Sequence, residues 1–204
     1  MKELLFNIID YNDIKQPLFM RIPEKRNICD FYATPMNTIQ SVLDCIDLSK
    51  YNNILEPSAG NGNICNSLRS NGYNGRLTAC EIRSSEYNNL SNYTDNIIIG
   101  DLLTLDTNQR YDLIIGNPPF NLALEVIEKC FDLLTENGEL LFLLRTAFLE
   151  SKSRYEFWQR HPLSGLFVLS QRPSFTGKGT DATSYSWFLF KKNFDGNQQI
   201  RVLK

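Results

Sequence analysis

Short apolar runs alternate with amphipathic segments along most of this chain. Seven runs have the length and the flanking turn residues of buried strands, and they cover residues 53–55, 76–80, 96–99, 111–116, 139–145, 166–170 and 185–190. Between them, apolar residues three or four positions apart predict helices over residues 35–47, 61–71, 83–90, 121–135 and 149–160. The alternation predicts an α/β fold with a doubly wound, seven-stranded, mostly parallel sheet. Because no good helix separates the last two runs, we expect the last strand to be antiparallel.

The segment 121–135 has the clearest helical pattern. Its apolar stripe consists of Leu122, Val126, Ile127, Cys130, Phe131 and Leu134. The pair Asn137-Gly138 follows the stripe and is typical of a helix end. A helix that ends at this pair is therefore predicted.

Composition places the chain among ordinary globular proteins. It has 204 residues, of which 42% are hydrophobic and 22% charged, which suits one domain with a substantial core. No apolar stretch approaches the roughly 20 residues that cross a bilayer, and the first seven residues do not resemble a secretory signal. The five cysteines are scattered without a Cys-x-x-Cys pair, which favours reduced thiols and argues against a zinc site. We expect a cytoplasmic protein without a metal.

Charge is unevenly distributed along the sequence. Residues 1–144 carry a balance of −8, whereas residues 145–204 carry +6. An uneven solvated surface would explain this, but so would a C-terminal third that faces a polyanion. The single histidine, His161, precedes Pro162 in a polar stretch, which disfavours a Ser-His-Asp site.

The residues Asn117, Pro118, Pro119 and Phe120 follow the apolar run 111–116. Two prolines cannot continue a strand because neither donates an N–H, so the chain must leave the sheet in a stiff loop. That loop offers an amide, backbone carbonyls and an aromatic face. Such groups suit an exocyclic amino group on a flat ring, although an ordinary Asn-Pro turn would also explain them.

A second loop, from Glu56 to Gly62, joins a predicted strand to a predicted helix. Gly60 and Gly62 allow the backbone to approach a ligand closely, and the helix beyond them offers unpaired N–H groups. The loop resembles a dinucleotide fingerprint, but the third glycine is absent.

Acidic residues recur where the next predicted strands end. Glu81 follows the second strand and Asp101 the third. Ligands bind sheets of this class at the carboxyl ends of the strands, so Glu56, Glu81, Asp101 and Asn117 are expected to meet in one crevice. Each acid alone could be a solvated loop residue or a helix cap. Together they predict a nucleoside-like, cationic cofactor.

These motifs resemble those of class I S-adenosylmethionine-dependent methyltransferases that act on amino groups, and most closely the small gamma-group N6-adenine DNA methyltransferases of bacteria and phages. The resemblance covers roughly residues 29–192. It implies a Rossmann-like methyltransferase domain over residues 29–204, preceded by an N-terminal extension of residues 1–28, and S-adenosylmethionine as cofactor. Phe31 to Pro35 is similar to the family's N-terminal cofactor motif.

The resemblance also implies roles for individual residues. The cofactor-binding residues are Tyr32, Thr34, Pro35, Glu56, Pro57, Ser58, Gly60, Gly62, Glu81, Ile82, Asp101, Leu102 and Asn117. The catalytic residues are Asn117, Pro118, Pro119 and Phe120. Substrate contacts are implied for Phe120, Arg172, Phe175 and Lys178.

One expected departure from the family concerns specificity: we expect no separate target-recognition domain after the sheet motifs. The resemblance implies DNA as the partner. Without a recognition domain, we expect relaxed sequence specificity or a specificity subunit. RNA adenine methylation, protein glutamine methylation and a non-catalytic cofactor-binding subunit remain alternatives. The glycine-rich segment 176–181 resembles a phosphate loop, but no strand-loop-helix surrounds it, so we interpret it as a loop that follows nucleic acid. Tyr185 and Trp187 alternate on a strand and are interpreted as core residues.

Overall fold

One mixed sheet organises residues 32–203, the part of the chain that this computed structural model describes. The predicted N-terminal extension, residues 1–28, lies outside the described residues. So does Phe31, the first residue of the predicted N-terminal cofactor motif. The strands are β1 (Asn53–Glu56), β2 (Arg76–Glu81), β3 (Asn96–Ile99), β4 (Tyr111–Gly116), β5 (Leu134–Arg145), β6 (Leu163–Leu169), β7 (Tyr185–Lys191) and β8 (Gln199–Leu203). Their order across the sheet is β3-β2-β1-β4-β5-β7-β6-β8.

The strand directions confirm the predicted mostly parallel, doubly wound sheet. β1 pairs in parallel with β2 and β4, β2 with β3, and β4 with β5. β7 lies antiparallel between β5 and β6, as the missing helix before it predicted.

The predicted number of seven strands was wrong, because β8 adds an eighth at the edge beside β6. β8 is the last strand and runs parallel to β6, so the antiparallel strand is the seventh and not the last. Only Leu203 of β8 is buried. An edge strand with so little buried surface leaves only a weak apolar pattern in the sequence, which explains why it was not predicted.

Five α-helices occur in the described residues, and each is shorter than its predicted segment. They are α1 (Met36–Leu43), α2 (Asn63–Ser70), α3 (Tyr87–Leu90), α4 (Ala123–Leu133) and α5 (Tyr155–Arg160). The predicted helix 149–160 begins late because Ser151 adopts a φ of 143°, which no helix accommodates.

The end of α4 also differs from the prediction. Leu134 already has extended backbone angles and begins β5, so Asn137 and Gly138 belong to the strand. Gly138 lies so close to its neighbours that an added Cβ would stand 2.9 Å from the Tyr111 carbonyl oxygen and 3.0 Å from Leu134 Cβ. The glycine thus serves close packing between β4 and β5 and does not cap the helix.

The sheet separates two apolar layers, because successive side chains of a strand point to opposite faces. Ile54 joins the layer under α1 and α2, which also contains Ile39 and Leu68. Its neighbour Leu55 joins the layer under α4 and α5, with Ile127 and Phe157.

The register brings the carboxyl ends of the parallel strands to one edge of the sheet. Glu56 pairs with Ala79, and Glu81 pairs with Ile99, so these strand ends lie within a few residues of each other. Tyr185, at the start of the antiparallel β7, pairs with Arg145 at the end of β5. Residues distant in sequence therefore gather at this edge.

We predict that Gly138→Ala lowers the free energy of unfolding by about 1–3 kcal/mol, because the added methyl group overpacks the contact between β4 and β5. The matched control is Gly100→Ala, since a Cβ at Gly100 meets nothing within 4 Å. That variant is expected to stay within about 0.5 kcal/mol of the parent protein. Chemical denaturation of the two variants measures both values, and equal stabilities would contradict the proposed packing.

Candidate functional site

The turn between β1 and α2 forms one wall of the site. Gly60 and Gly62 adopt φ angles of 56° and 84°, the left-handed conformation that glycine adopts at low cost. An added Cβ at Gly62 would lie 3.1 Å from Leu90 Cδ2. The turn therefore requires glycine here, and the backbone N–H groups at the start of α2 follow directly.

Glu56 lies beneath this turn and is almost fully buried. Its Oε2 accepts hydrogen bonds from the Cys65 backbone N–H (3.0 Å) and from the Cys65 thiol (2.8 Å). Burial raises the pKa of Glu56 to about 8, although these two hydrogen bonds act in the opposite direction. Burial also raises the pKa of the Cys65 thiol, which stays neutral and donates.

Glu81 is joined directly to the glycine-rich turn. Its Oε2 accepts the Gly60 N–H at 2.7 Å, while Oε1 accepts the Arg83 N–H at 2.9 Å and Arg83 Nε at 2.8 Å. A carboxylate has about four acceptor positions, of which these donors use three. A ribose diol, the ligand expected at Glu81, would therefore compete with Arg83 for Oε1. Arg83 has a second acid partner in Glu86, at 3.2 Å.

The residues that follow Glu81 and β3 lie at the same ends of the strands. The Ile82 side chain is 61% exposed, which leaves an apolar surface beside Glu81. Asp101 is exposed, and its Oδ1 accepts the Leu103 N–H at 2.9 Å. The Leu102 side chain is buried in the core, so any ligand contact of Leu102 is through its backbone.

Asn117 emerges from the end of β4 with its two amide atoms in different situations. Nδ2 donates to Thr34 Oγ1 at 3.1 Å. Oδ1 is buried, yet no group in residues 32–203 donates a hydrogen bond to it. Leaving a buried acceptor unsatisfied costs about 1–3 kcal/mol, so this atom is poised to accept a donor from a ligand.

Thr34 connects Asn117 to the glycine-rich turn. The Thr34 carbonyl accepts Asn63 Nδ2 at 2.9 Å, while its hydroxyl accepts the Asn117 amide. Pro57 of the glycine-rich turn also packs closely on Gly116, the residue before Asn117. A Cβ added at Gly116 would stand 3.1 Å from Pro57 Cδ. The structure thus brings together three separate sequence motifs: the N-terminal motif, the glycine-rich turn and the loop that begins at Asn117. Asn63 was not among the predicted residues.

Four aromatic rings pack one against the next, starting from Phe120 in the loop that begins at Asn117. The Phe120 ring lies 5.6 Å from that of Tyr185, Tyr185 lies 5.2 Å from Phe175, and Phe175 lies 6.2 Å from Tyr32. The Arg145 guanidinium lies 5.1 Å from the centre of the Phe120 ring. Of these residues, Arg145 was not predicted from the sequence and Tyr185 was predicted only as a core residue, because their contribution depends on the pairing of β5 with β7.

The loop between β6 and β7 carries the two predicted basic contacts. Arg172 is exposed and donates through Nη1 to the Ala182 carbonyl at 3.0 Å. Lys178 is exposed between Gly177 and Gly179, both with positive φ. Phe175 of the same loop packs against Tyr185, so the loop lies beside the aromatic series.

Other candidate chemistry lies elsewhere or is not found in the described residues. His161 stacks on Phe131 with ring centres 4.2 Å apart and lies 3.4 Å from Glu128. Within residues 32–203, no group of three acidic, histidine or cysteine side chains could hold a metal ion. The described cysteines Cys45, Cys65, Cys80 and Cys130 are free thiols. The same residues contain no helix that is both long and apolar enough to traverse a bilayer.

Comparison with known proteins gives one related sequence and several related folds. No protein-family model matches this sequence. The chain is 32% identical to the Type II methyltransferase M.CvrRI of Paramecium bursaria Chlorella virus XZ-6E, over 59% of this chain and 37% of that enzyme. The matched region thus spans little more than a third of the length of the viral relative.

Solved structures resemble this fold at low sequence identity. A protein from Listeria monocytogenes assigned to the class I S-adenosylmethionine-dependent methyltransferases superposes with a TM-score of 0.63 at 15% identity, covering 83% of this chain and 64% of its own. One assigned as an RNA methyltransferase, from Pyrococcus horikoshii, gives 0.65 at 15%, covering 81% and 89%. A chain of a type I restriction–modification system gives 0.61 at 11%, covering 84% and 45%.

The chain has the class I S-adenosylmethionine-dependent methyltransferase fold, as the resemblance implied. The Listeria monocytogenes neighbour is named as S-adenosylmethionine-dependent, and S-adenosylmethionine is also the cofactor that the motifs of this chain predict. Near the glycine-rich turn, Glu81 lies at the end of β2 and the exposed Asp101 follows β3, so two acidic side chains stand at neighbouring strand ends.

The pKa of Glu56 generates a prediction for stability. Between the ordinary value of 4.5 and about 8, the unfolded chain has lost the Glu56 proton while the folded protein retains it, so this residue makes stability fall as pH rises through that range. Glu56→Gln mimics the protonated acid and removes this dependence. We expect the melting temperature of the variant, relative to the parent protein, to rise from about pH 5 to about pH 9. Thermal denaturation without cofactor measures the difference, and a constant difference would contradict a protonated Glu56.

Proposed function

We propose that this chain transfers a methyl group from S-adenosylmethionine to the exocyclic N6 amine of adenine in DNA. The observation that carries the proposal is the buried Asn117 Oδ1, which has no hydrogen-bond donor in the described part of the chain. An amine hydrogen of the target base would satisfy this atom. The neighbouring Pro118 carbonyl is the natural acceptor for the second amine hydrogen, because Pro118 follows in the same stiff loop.

The role proposed for Asn117 is to orient the amine. The lone pair of the amine nitrogen is delocalised into the adenine ring. Asn117 Oδ1 and the Pro118 carbonyl, as hydrogen-bond acceptors, can draw this nitrogen toward tetrahedral geometry, so that its lone pair becomes available. When bound, the cofactor would supply an electrophilic methyl group on a sulfonium, whose leaving group is a neutral thioether. The amine proton then passes to water, since an amide is no base. Orientation of this kind contributes about 7–11 kcal/mol in favourable cases.

Thr34 supports this role by holding the amide of Asn117 through the hydrogen bond to Nδ2. Tyr32, Thr34 and Pro35 would contact the methionine part of the cofactor. Glu81 would accept the ribose hydroxyls, and Asp101 the adenine amino group of the cofactor.

The aromatic rings beside Asn117 suit a base that has left its duplex. Reaching the amine requires base flipping at a cost of a few kcal/mol. Stacking on Phe120 and Phe175 would return about 1–3 kcal/mol for each base contact. Both rings already pack on Tyr185, which limits their movement.

DNA is the proposed substrate because residues 145–204 are positively charged and because of the proteins that this chain resembles. Residues 145–204 carry a net charge of +6 and include the exposed Lys178. The viral relative is named a Type II methyltransferase, and one structural neighbour belongs to a type I restriction–modification system. The β6–β7 loop offers mainly basic, small and aromatic side chains, which suit contacts with phosphates more than with base edges. We therefore propose that the enzyme recognises a short target sequence or depends on a specificity subunit. We place its action in the cytoplasm.

We predict that Asn117→Ala abolishes methyl transfer to unmethylated DNA while leaving S-adenosylmethionine affinity within about threefold, because Asn117 orients the acceptor. Asn137→Ala is the matched control, since Asn137 is an exposed amide near the opposite end of β5. Tritiated-methyl transfer to DNA, total RNA and cell protein in parallel, with identification of the methylated nucleoside, measures activity. Calorimetric titration measures cofactor affinity.

The assay separates the proposal from its alternatives. N6-methyladenine formed in DNA by the parent protein and by Asn137→Ala alone is the expected result. Transfer to RNA or protein instead would replace the substrate class. A fully active Asn117→Ala would refute the mechanism.

A second prediction concerns salt. Lys178→Ala and Arg172→Ala should each reduce the slope of log affinity for DNA against log salt by about one unit, because each removes one phosphate contact. The control is Lys50→Ala. Lys50 is exposed and precedes β1, so it lies near the amino end of that strand, whereas the site lies at the carboxyl ends. Anisotropy titrations at several salt concentrations give the slopes. Three unchanged slopes would show that the β6–β7 loop does not contact phosphates.

A further inference from the structure

We propose that Tyr185 is a positioning residue whose hydroxyl group fixes the β6–β7 loop beside the Asn117 loop, so that the loop is already in place when nucleic acid binds. This inference rests on the proposed function. It assigns to Tyr185 a role beyond the core packing expected from its sequence pattern.

The ring of Tyr185 stands between the two parts of the site. It is fully buried at the first position of β7, with Phe120 of the Asn117 loop at 5.6 Å and Phe175 of the β6–β7 loop at 5.2 Å between ring centres. These contacts need only an aromatic ring, and phenylalanine would supply one. The hydroxyl group therefore needs a separate explanation.

The hydroxyl group donates to Asp181, a residue near the end of the β6–β7 loop. Asp181 Oδ2 accepts Tyr185 OH at 3.1 Å, and Oδ1 accepts the Thr183 N–H and hydroxyl at 3.0 Å each. The Asp181 N–H donates to the Pro173 carbonyl at 2.9 Å, which closes the loop across its base. Asp181 thus joins both ends of the loop to the buried ring.

The charge on Asp181 strengthens this attachment. Burial alone would raise the pKa of Asp181, but the hydrogen bonds from Thr183 and Tyr185 outweigh it and lower the pKa below its ordinary value. The carboxylate is therefore ionised at neutral pH. Hydrogen bonds to a charged group are stronger than those between neutral groups.

The residues beyond this attachment are the ones that would meet nucleic acid. Residues 176–180 are exposed, and Lys178 lies among them between two glycines with positive φ. Glycine-rich backbone loses much conformational entropy when a ligand orders it. Fixing the base of the loop in advance reduces that loss, so the hydroxyl group of Tyr185 should increase affinity for the polymer without touching it.

The test compares Tyr185→Phe with a control that loses the same chemistry elsewhere. Tyr51→Phe removes a hydroxyl that donates to Glu139 at 2.5 Å, and Glu139 lies in the middle of β5, six residues before Arg145. Tyr185→Phe is expected to weaken DNA affinity and raise KM about tenfold, with kcat and S-adenosylmethionine affinity changed less than about threefold. Tyr51→Phe should leave all four quantities near those of the parent protein.

Two further measurements separate positioning from general destabilisation. Hydrogen exchange without ligand should show faster exchange of residues 172–184 in Tyr185→Phe than in Tyr51→Phe. In a double-mutant cycle, Lys178→Ala should reduce DNA affinity less in the Tyr185→Phe background than in the parent protein, because a released loop holds Lys178 less well.

The outcomes distinguish this inference from the proposed function. Unchanged loop exchange in Tyr185→Phe, or additive effects in the cycle, would overturn the positioning role even if DNA is methylated. Should the parent protein methylate RNA instead, the choice of DNA fails, and the same variants are then measured with RNA. A parent protein that binds neither polymer would overturn both.

Discussion

The parallel pairing of β1, β2, β3 and β4 is the constraint on which the site depends. Strands that run in one direction must end at one edge, so the residues after each strand gather there whatever their distance in sequence. The register places Glu56 near the end of β2 and Glu81 level with the end of β3. The Glu81 carboxylate then accepts the Gly60 N–H at 2.7 Å, which joins two of these strand ends directly.

The same edge concentrates polar groups that a stable core would avoid. Glu56 is buried with a pKa of about 8, and the buried Asn117 Oδ1 receives no hydrogen bond from residues 32–203. Both cost stability in the free protein. The amino group of the proposed reaction would supply the donor that Asn117 Oδ1 lacks, so this destabilised group and the proposed chemistry coincide.

The second half of the site depends on antiparallel pairing. β7 returns between β5 and β6 and places Tyr185 opposite Arg145, so the β6–β7 loop ends beside Phe120. Tyr185 then contacts both Phe120 and Phe175. The loop and the Asn117 motif are therefore neighbours through one buried ring, although 50 or more residues separate them in sequence.

By itself, the sequence determined the alternation of strands and helices, the fold class, and the motifs at the strand ends, because apolar periodicity, paired prolines and glycine-rich turns are local signals. Only the tertiary structure decided that Thr34 holds the Asn117 amide, that Arg83 donates to Glu81, and that Tyr185 reaches Asp181. It also added β8, whose exposed side chains leave almost no local pattern. The physical reason is that these contacts depend on strand register and side-chain direction, which are set by packing across the whole sheet.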